Sequence, residues 1–275
     1  MLPTPSTDHV AFDRIYEPAE DSYLLLDTLS SETEKAFLGS RFNAESENGN
    51  ADKSTCPLVV EIGTGSGVVL SFVHAHADII FGRSDILTLG VDVNRFACKA
   101  TAQTIHVTEQ DQAKEFKSHG FYLGNVLGDL TTPLHLREVD VLVFNPPYVP
   151  TPSLPSIPGE ELVAREKTSF EDDSKLLELS YAGGVDGMET TDRLLEQLPE
   201  ALSGRGVGYV LLCAQNRPEV VKVRVRSWGN GKDWRCETVG MSGKKGGWEK
   251  LQIIRIWRSV SECGLESNEE RDTRK

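Results

Sequence analysis

The feature that most constrains the fold of this sequence is a short apolar run that ends in a glycine turn. Residues 58–62 predict a buried strand, residues 63–67 (Gly-Thr-Gly-Ser-Gly) predict a tight turn, and residues 68–77 predict a helix. Glycine lets a backbone turn sharply and approach a ligand closely. In open α/β sheets, ligands bind beyond the carboxyl ends of the strands, which is where this turn lies.

The alternation of strand and helix patterns continues along the chain. Apolar runs predict further strands at 86–91, 121–123, 139–144 and 209–214, and a closing hairpin at 235–239 and 250–257. Helix-length segments, 96–118 and 192–202 among them, separate the earlier strands. Strands joined by helical crossovers pair in parallel, which predicts a doubly wound α/β sheet. A single domain over 1–258 accounts for these elements.

Three stretches have a different composition. Residues 32–55 are polar and predict a flexible excursion, with an insertion at 41–55. Residues 151–169 are rich in proline and long enough to form a loop on the substrate side. Residues 259–275 predict a disordered tail.

The glycine turn differs from a dinucleotide-binding turn. The dinucleotide pattern G-x-G-x-x-G requires a small residue at position 68, where this chain has Val68. An acid at the end of the strand, Glu61, would also repel a pyrophosphate bound at the helix N-terminus. Glu61 instead suits a cationic ligand, such as the amino group of a methionine moiety.

Two further acids follow predicted strands. Asp92, after the second strand, is placed to accept hydrogen bonds from both hydroxyls of a ribose, although NAD enzymes share an acid at this position. Asp129, after the third strand, is a candidate to accept from an adenine amine, with Leu130 as an apolar contact. An ordinary acid in a turn is an equally good interpretation of Asp129.

The motif Asn145-Pro146-Pro147-Tyr148 follows the fourth strand, and so opens on the same crevice as the glycine turn. A planar amide or aromatic amine is a poor nucleophile unless its two N–H groups are accepted. The side-chain oxygen of Asn145 can accept one and the carbonyl of Pro146 the other, while Tyr148 can stack on the planar group. Alone, the motif is also compatible with a proline turn that ends a strand. In register with the glycine turn, it predicts methyl transfer to a planar nitrogen.

With these motifs the chain resembles the HemK-like class I methyltransferases that modify the glutamine of translation release factors. The resemblance covers most of residues 12–258, including 16–26, 61–67, 145–148 and 181–187. The short stretch before Glu61 points to the compact eukaryotic and archaeal branch. The resemblance implies a Rossmann-like fold with a seven-stranded, mostly parallel sheet and an antiparallel C-terminal hairpin. It implies a heterodimer with a small zinc-binding activator protein.

The resemblance also implies roles for individual residues. S-adenosylmethionine is expected against Ser22, Glu61, Gly63, Gly65, Asp92, Asp129 and Leu130. The acceptor is expected against Asn145, Pro146, Pro147 and Tyr148, with Asn145, Pro146 and Tyr148 as the catalytic set. No metal site is expected in this chain, and the substrate is the glutamine of the Gly-Gly-Gln loop of class I release factor.

Charge and composition narrow the classes of partner. The chain has a net charge of -13, and its residues 201–275 alone carry 15 Lys and Arg against 9 Asp and Glu. An acidic body repels a phosphate backbone, so binding of duplex DNA is not expected. The absence of a long apolar run argues against a membrane span, and the five scattered cysteines favour a reducing compartment. A cytoplasmic location, with a nuclear one also open, is expected.

Other functions remain open on the sequence alone. The Asn-Pro-Pro-Tyr element also occurs in DNA adenine and RNA guanine methylases, so an exocyclic-amine methylase is one alternative. A methylase of other protein side chains such as lysine is a second, and a cofactor-binding assembly scaffold without catalysis is a third. The strand at 121–123 is expected at an edge of the sheet, where a partner strand or a local loop or helix would cover it.

Overall fold

The computed structural model describes residues 2–42, 55–157, 159, 168–229, 233–243 and 250–259. The strands are β1 Leu58–Ile62, β2 Leu87–Asp92, β3 Phe121–Leu127, β4 Val139–Phe144, β5 Leu202–Cys213, β6 Trp234–Met241 and β7 Leu251–Arg258. The helices are α1 Glu20–Leu29, α2 Glu32–Phe42, α3 Val68–Ala75, α4 Ala77–Phe81, α5 Arg95–Lys114, α6 Phe170–Glu178, α7 Glu189–Ala201 and α8 Pro218–Arg226. Most of the expected insertion and the expected tail lie outside the described residues.

The seven strands form one sheet in the order β3-β2-β1-β4-β5-β7-β6. Strands β1 to β5 pair in parallel, and β7 runs antiparallel to both β5 and β6. The predicted seven-stranded sheet with an antiparallel C-terminal hairpin is therefore confirmed. The chain leaves β1 toward β2 and β3 on one side and returns to β4 on the other. This reversal between β1 and β4 opens a crevice at their carboxyl ends.

Both faces of the sheet are covered, which explains why the sequences of its central strands are continuous apolar runs. Along β4, Val141 and Val143 belong to the core on one face, whereas Leu142 and Phe144 belong to the core on the other. All of β4 is buried. Each buried side chain of this size contributes about 1.5–3 kcal/mol.

Helix α2 contradicts the expectation of a flexible excursion over 32–55. Its residues 32–42 are helical, and the side chains of Leu38 and Phe42 are 0% exposed. The polar residue Glu34 is buried too, because its carboxylate accepts the hydroxyl of Tyr209 at 2.7 Å and pairs with Arg255 at 2.8 Å. Both partners are far away in sequence, so a local pattern cannot reveal them.

Other elements differ from the sequence expectation in extent. Strand β5 begins at Leu202 rather than 209, because Arg205 reaches Asp140 of β4 at 2.9 Å and a polar stretch thereby joins the sheet. Helices α6 and α8 were not predicted. Among the described residues, no helix combines the length and hydrophobicity that a membrane crossing needs.

Candidate active site

A cavity lies in the crevice beyond the carboxyl ends of β1, β2 and β4. Most of the predicted site residues line it, namely Ser22, Glu61, Gly63, Gly65, Asp92, Asp129, Leu130, Asn145 and Pro147. The structure thus brings together residues from the start of α1, from the ends of β1, β2 and β4, and from the loops that follow β1 to β4. Two predicted residues, Pro146 and Tyr148, are not among the lining residues.

The glycine turn has a backbone that only glycine adopts readily. Gly63 has φ +67° and Gly65 has φ +53°, both in the left-handed region. The N–H of Gly63 donates to the carbonyl of Val91 at 2.7 Å, which ties the turn to β2. A Cβ on Gly65 would meet no atom within 4 Å, so this part of the turn faces open space. The turn therefore offers its backbone to the cavity.

The carboxylate of Asp92 holds the turn and remains able to bind a ligand. Its Oδ2 accepts the N–H of Gly65 at 3.0 Å, and its Oδ1 accepts the N–H of Asn94 at 2.7 Å. Burial raises the pKa of Asp92 to about 6, although these backbone donors act in the opposite direction. Each carboxylate oxygen retains acceptor capacity, which suits a pair of ribose hydroxyls.

Glu61 is a buried acid that suits a cation. It is 3% exposed, and its Oε2 accepts the N–H of Leu70 at 2.8 Å. Its Oε1 has no hydrogen-bond partner among the residues that the structure describes. Burial raises the pKa of Glu61 well above its usual range, and the nearby charge of Asp92 adds to this. A bound ammonium group would offset that cost by favouring the ionised carboxylate.

Asn145 presents a fixed acceptor at the end of β4. Its Nδ2 donates to Oδ2 of Asp21 at 3.1 Å. Its Oδ1 is buried and has no hydrogen-bond partner among the described residues. An unsatisfied buried acceptor costs about 1–3 kcal/mol, a cost that an N–H donor of a ligand would remove. Asp21 was not assigned a role by the sequence analysis, because it lies 124 residues from Asn145.

Comparison with known proteins places this chain among methyltransferases. The eRF1 methyltransferase catalytic subunit mtq2 of Schizosaccharomyces pombe is 31% identical to it over 270 residues, covering 94% of this chain and 96% of that protein. The methyltransferase HEMK2 of Mus musculus is 31% identical over 265 residues, covering 94% and 98%. The chain belongs to the HemK-like methyltransferases. The resemblance found in the sequence is confirmed.

More distant comparisons add nothing to this assignment. No protein-family model matches the chain. Among solved structures, the hMettl16 catalytic domain is 12% identical, with a TM-score of 0.49 over 92% of this chain and 74% of that one. The T. thermophilus 16S rRNA N2 G1207 methyltransferase is 11% identical, with a TM-score of 0.47 over 88% and 44%.

In this HemK-like methyltransferase, the backbone of segment 181–187 packs closely against the Asn-Pro-Pro-Tyr loop. A Cβ on Gly183 would lie 2.5 Å from the carbonyl oxygen of Pro147, and one on Gly187 would lie 2.0 Å from that of Tyr148. Backbone hydrogen bonds join the two segments, because Val149 donates to the carbonyl of Tyr181 at 2.9 Å. The glycines are needed here for close approach of two backbones. In the sequence, this segment is recognisable only through the resemblance.

Pro146 and Tyr148 occupy less exposed positions than the predicted roles suggest. Pro146 is buried. Tyr148 is partly buried and packs against the core on one face of the sheet. Their roles in holding the acceptor therefore stay predictions, and Pro147 is the proline that lines the cavity.

The predicted adenine ligand Asp129 is paired within the protein. Its Oδ2 accepts a short hydrogen bond from Arg193, which also lines the cavity. Leu130 is 4% exposed and adopts φ +52°, so the loop after β3 turns sharply at this apolar residue. Asp129 reaches a ligand only through its remaining acceptor capacity.

The rest of the HemK-like cavity is largely apolar. The proline-rich loop expected on the substrate side contributes Leu154, Pro155 and Ile157, and helix α6 contributes Leu176. These residues lie far along the chain from the cofactor motifs. An apolar wall excludes water, which suits methyl transfer to a weak nucleophile.

One cluster of potential metal ligands occurs in the described part of the chain, although no metal site was expected. His74, Glu109 and His119 have ligand atoms within 4.8 Å of one another. Nδ1 of His74 lies 3.1 Å from Oγ1 of Thr88, and its Nε2 lies 3.2 Å from Glu109. Burial lowers the pKa of His74 to about 4. The contacts satisfy both ring nitrogens, so His74 is a neutral histidine of the core.

Proposed function

We propose that this enzyme transfers a methyl group from S-adenosylmethionine to the side-chain nitrogen of the glutamine in the Gly-Gly-Gln motif of the eukaryotic class I translation release factor. The observation that carries the proposal is the buried, unpartnered Oδ1 of Asn145, a residue that lines the same cavity as Glu61 and Asp92. An acceptor for N–H and an acidic site for a cationic cofactor thus share one cavity.

The buried acids fit S-adenosylmethionine. Glu61 offers a free carboxylate oxygen to the amino group, and Asp92 offers both oxygens to the ribose. Asp129 and Leu130 are assigned to the adenine side, and Ser22, at the N-terminus of α1, lines the same cavity. Bound there, the cofactor would supply an electrophilic methyl group on a sulfonium sulfur, which would keep the C–S electron pair, and the acceptor nitrogen would release one proton to solvent.

The acceptor side favours a planar amide. The Oδ1 of Asn145 accepts one N–H, and the carbonyl of Pro146 is assigned to the second. Two accepted N–H groups raise the electron density of the nitrogen and hold its face toward the methyl group. Pro147 lines the cavity, and Tyr148 is assigned to the planar face of the amide. A lysine substrate would need loss of a proton from an ammonium group instead.

The substrate class follows from the relatives and from charge. The fission yeast relative is named for methylation of eRF1, and it matches this chain over nearly its whole length. The net charge of -13 disfavours a nucleic-acid duplex as the substrate. The residues from 1 to 258 act as one catalytic domain, and the enzyme works in the cytoplasm, where release factors act.

Mass spectrometry of release factor incubated with the enzyme and labelled cofactor tests the proposal. The expected product is a single added methyl on the glutamine of the Gly-Gly-Gln loop. The variant N145A should lose about 100-fold in kcat or more, which is typical of removing one preorganised hydrogen-bonding group. Its Kd for the cofactor should stay within twofold.

The exposed amide Gln110 on helix α5 supplies a matched control. Q110A should keep wild-type turnover. A wild-type enzyme that methylates an oligonucleotide or a lysine but leaves the glutamine unmodified would overturn the proposed substrate.

The partner is a small zinc-binding activator protein that adds to the edge of the sheet. Strand β3 lies at this edge and pairs only with β2 among the described strands. Its side chains Phe121, Leu123 and Leu127 are 60%, 55% and 43% exposed. An open apolar edge strand favours pairing with another chain.

Co-expression with the activator tests this surface. The double variant F121D/L123D should lose co-purification of the activator, because two charges would be buried in the new interface. V220D/V223D is the matched control, since Val220 and Val223 are exposed on α8 to a similar degree, 63% and 66%. A chain that is monodisperse, stable and fully active when expressed alone would refute the need for a partner.

A further inference from the structure

The side-chain amide of Asn145 has a partner that fixes which of its ends faces the acceptor. Asp21 is 3% exposed, and its Oδ2 accepts Nδ2 of Asn145 at 3.1 Å. A carboxylate only accepts hydrogen bonds, so it must face the NH2 end of the amide. The oxygen end then points away from Asp21 and remains unpartnered among the described residues.

The position of Asp21 is itself fixed by the start of helix α1. Its Oδ1 accepts the backbone N–H of Ser22 at 2.6 Å and the hydroxyl of Ser22 at 3.2 Å. The N-terminal turn of a helix also favours a negative charge. The carboxylate cannot rotate without losing these donors. Helix α1 therefore fixes the Asp21 carboxylate, and this carboxylate in turn fixes the orientation of the Asn145 side chain at the end of β4.

We propose that Asp21 is a positioning residue for methyl transfer, which holds the Asn145 amide so that its oxygen, rather than its NH2 group, faces the acceptor nitrogen. This inference rests on the proposed function, because it assigns a direction to the hydrogen bond that the acceptor glutamine donates. A flipped Asn145 would set its own N–H donors against those of the glutamine. The acceptor nitrogen would then lose both its alignment and its electron density.

The isosteric variant D21N gives a sharp test. The oxygen of the new asparagine side chain should still accept the backbone N–H of Ser22. The NH2 group of that side chain would then face Asn145. Asn145 should respond by turning its own oxygen toward position 21. We expect kcat to fall by about 100-fold or more, with the melting temperature and the Kd for cofactor close to wild type. D27N, which removes an exposed charge from the same helix, should keep wild-type kcat.

A reciprocal exchange separates orientation from a merely structural role. N145D alone sets two carboxylates against each other and should also be inactive. In D21N/N145D, the carboxylate at 145 accepts from the amide at 21 and offers its second oxygen to the acceptor. The double variant should therefore recover at least about tenfold over either single variant, as expected for two residues that are directly coupled. Failure to exceed both singles would overturn the inference, and so would a D21N enzyme with wild-type kcat.

An NMR measurement without substrate distinguishes failure of this inference from failure of the proposed function. The side-chain amide signal of Asn145, assigned by its loss in N145D, should shift in D21N and stay unchanged in D27N. An unchanged signal in D21N would overturn the orientation by Asp21. A wild-type enzyme that leaves the release-factor glutamine unmodified would instead overturn the proposed function, with the amide signal unaffected.

Discussion

Replacement of Gly187 by alanine should disable catalysis from outside the cavity. A Cβ at this position would lie 2.0 Å from the carbonyl oxygen of Tyr148, whereas real Cβ atoms essentially never approach closer than 3.0 Å. The Asn-Pro-Pro-Tyr loop must therefore move by about 1 Å. A displacement of that size in a catalytic group costs about 100-fold in rate. We expect G187A to lose about 100-fold in kcat in a methyl-transfer assay, while calorimetry shows an unchanged Kd for cofactor.

Gly229 provides a control for backbone strain. Gly187 has φ +68° and Gly229 has φ +60°, so alanine at either position costs about 1–2 kcal/mol of stability. A Cβ on Gly229 would meet no atom within 4 Å. G229A should therefore share the stability loss that comes from backbone strain but keep wild-type kcat. A wild-type turnover rate in G187A would refute the reasoning that close contact between Gly187 and Tyr148 positions the catalytic loop.

The remaining predictions concern the buried charges. Burial raises the pKa of Asp92 to about 6 and that of Glu61 well above its usual range, so the free enzyme holds protons that a cationic ligand should expel. Cofactor affinity should rise with pH through about pH 6, and calorimetry in buffers of different ionisation enthalpy should detect the released protons; a pH-independent Kd would contradict this. The same two shifts make the unliganded protein less stable as pH rises from about 4 to 6, because the folded state binds more protons than the unfolded chain in that window. E61Q should weaken cofactor binding by about 10- to 100-fold in the same assay, as expected for a lost charged hydrogen bond, and unaltered affinity would exclude the ammonium contact. R255M should lower the free energy of unfolding in urea by about 3–5 kcal/mol because it leaves the buried Glu34 unpaired, and E34M/R255M should recover most of that loss.

The parts of the site that follow single strands could be predicted from the sequence. The turn at Gly63 and Gly65 and the motif at Asn145 each follow a short apolar run, and backbone periodicity locates such runs. The rule that parallel strands end at one edge then brings the two together. Local chemistry was sufficient here because each side chain acts where its own strand ends.

The parts that depend on long-range pairing could not be predicted. Asp21 reads as a first-turn acid of a helix, and only the fold places it against Asn145. In the sequence, the charge of Glu34 indicates an exposed segment where α2 lies. The charge of Arg205 likewise indicates a loop where β5 begins. Each charge is neutralised by a residue at least 60 positions away, Arg255 and Asp140 respectively. A polar pattern marks a surface only when no distant counter-charge exists.

Helix α1 packs on strands that come after the cavity-lining residues in the sequence. Every described residue that lines the cavity precedes residue 194, yet α1, which carries Asp21, packs on β6 and β7. A Cβ on Gly240 of β6 would lie 2.1 Å from the hydroxyl of Thr28, which shows how closely the two elements meet. A nonsense codon just after residue 229 would thus spare this lining and still remove part of the surface on which α1 packs, although its contacts with α3 would remain. During synthesis, α1 gains its full set of packing contacts only once the last strands have left the ribosome.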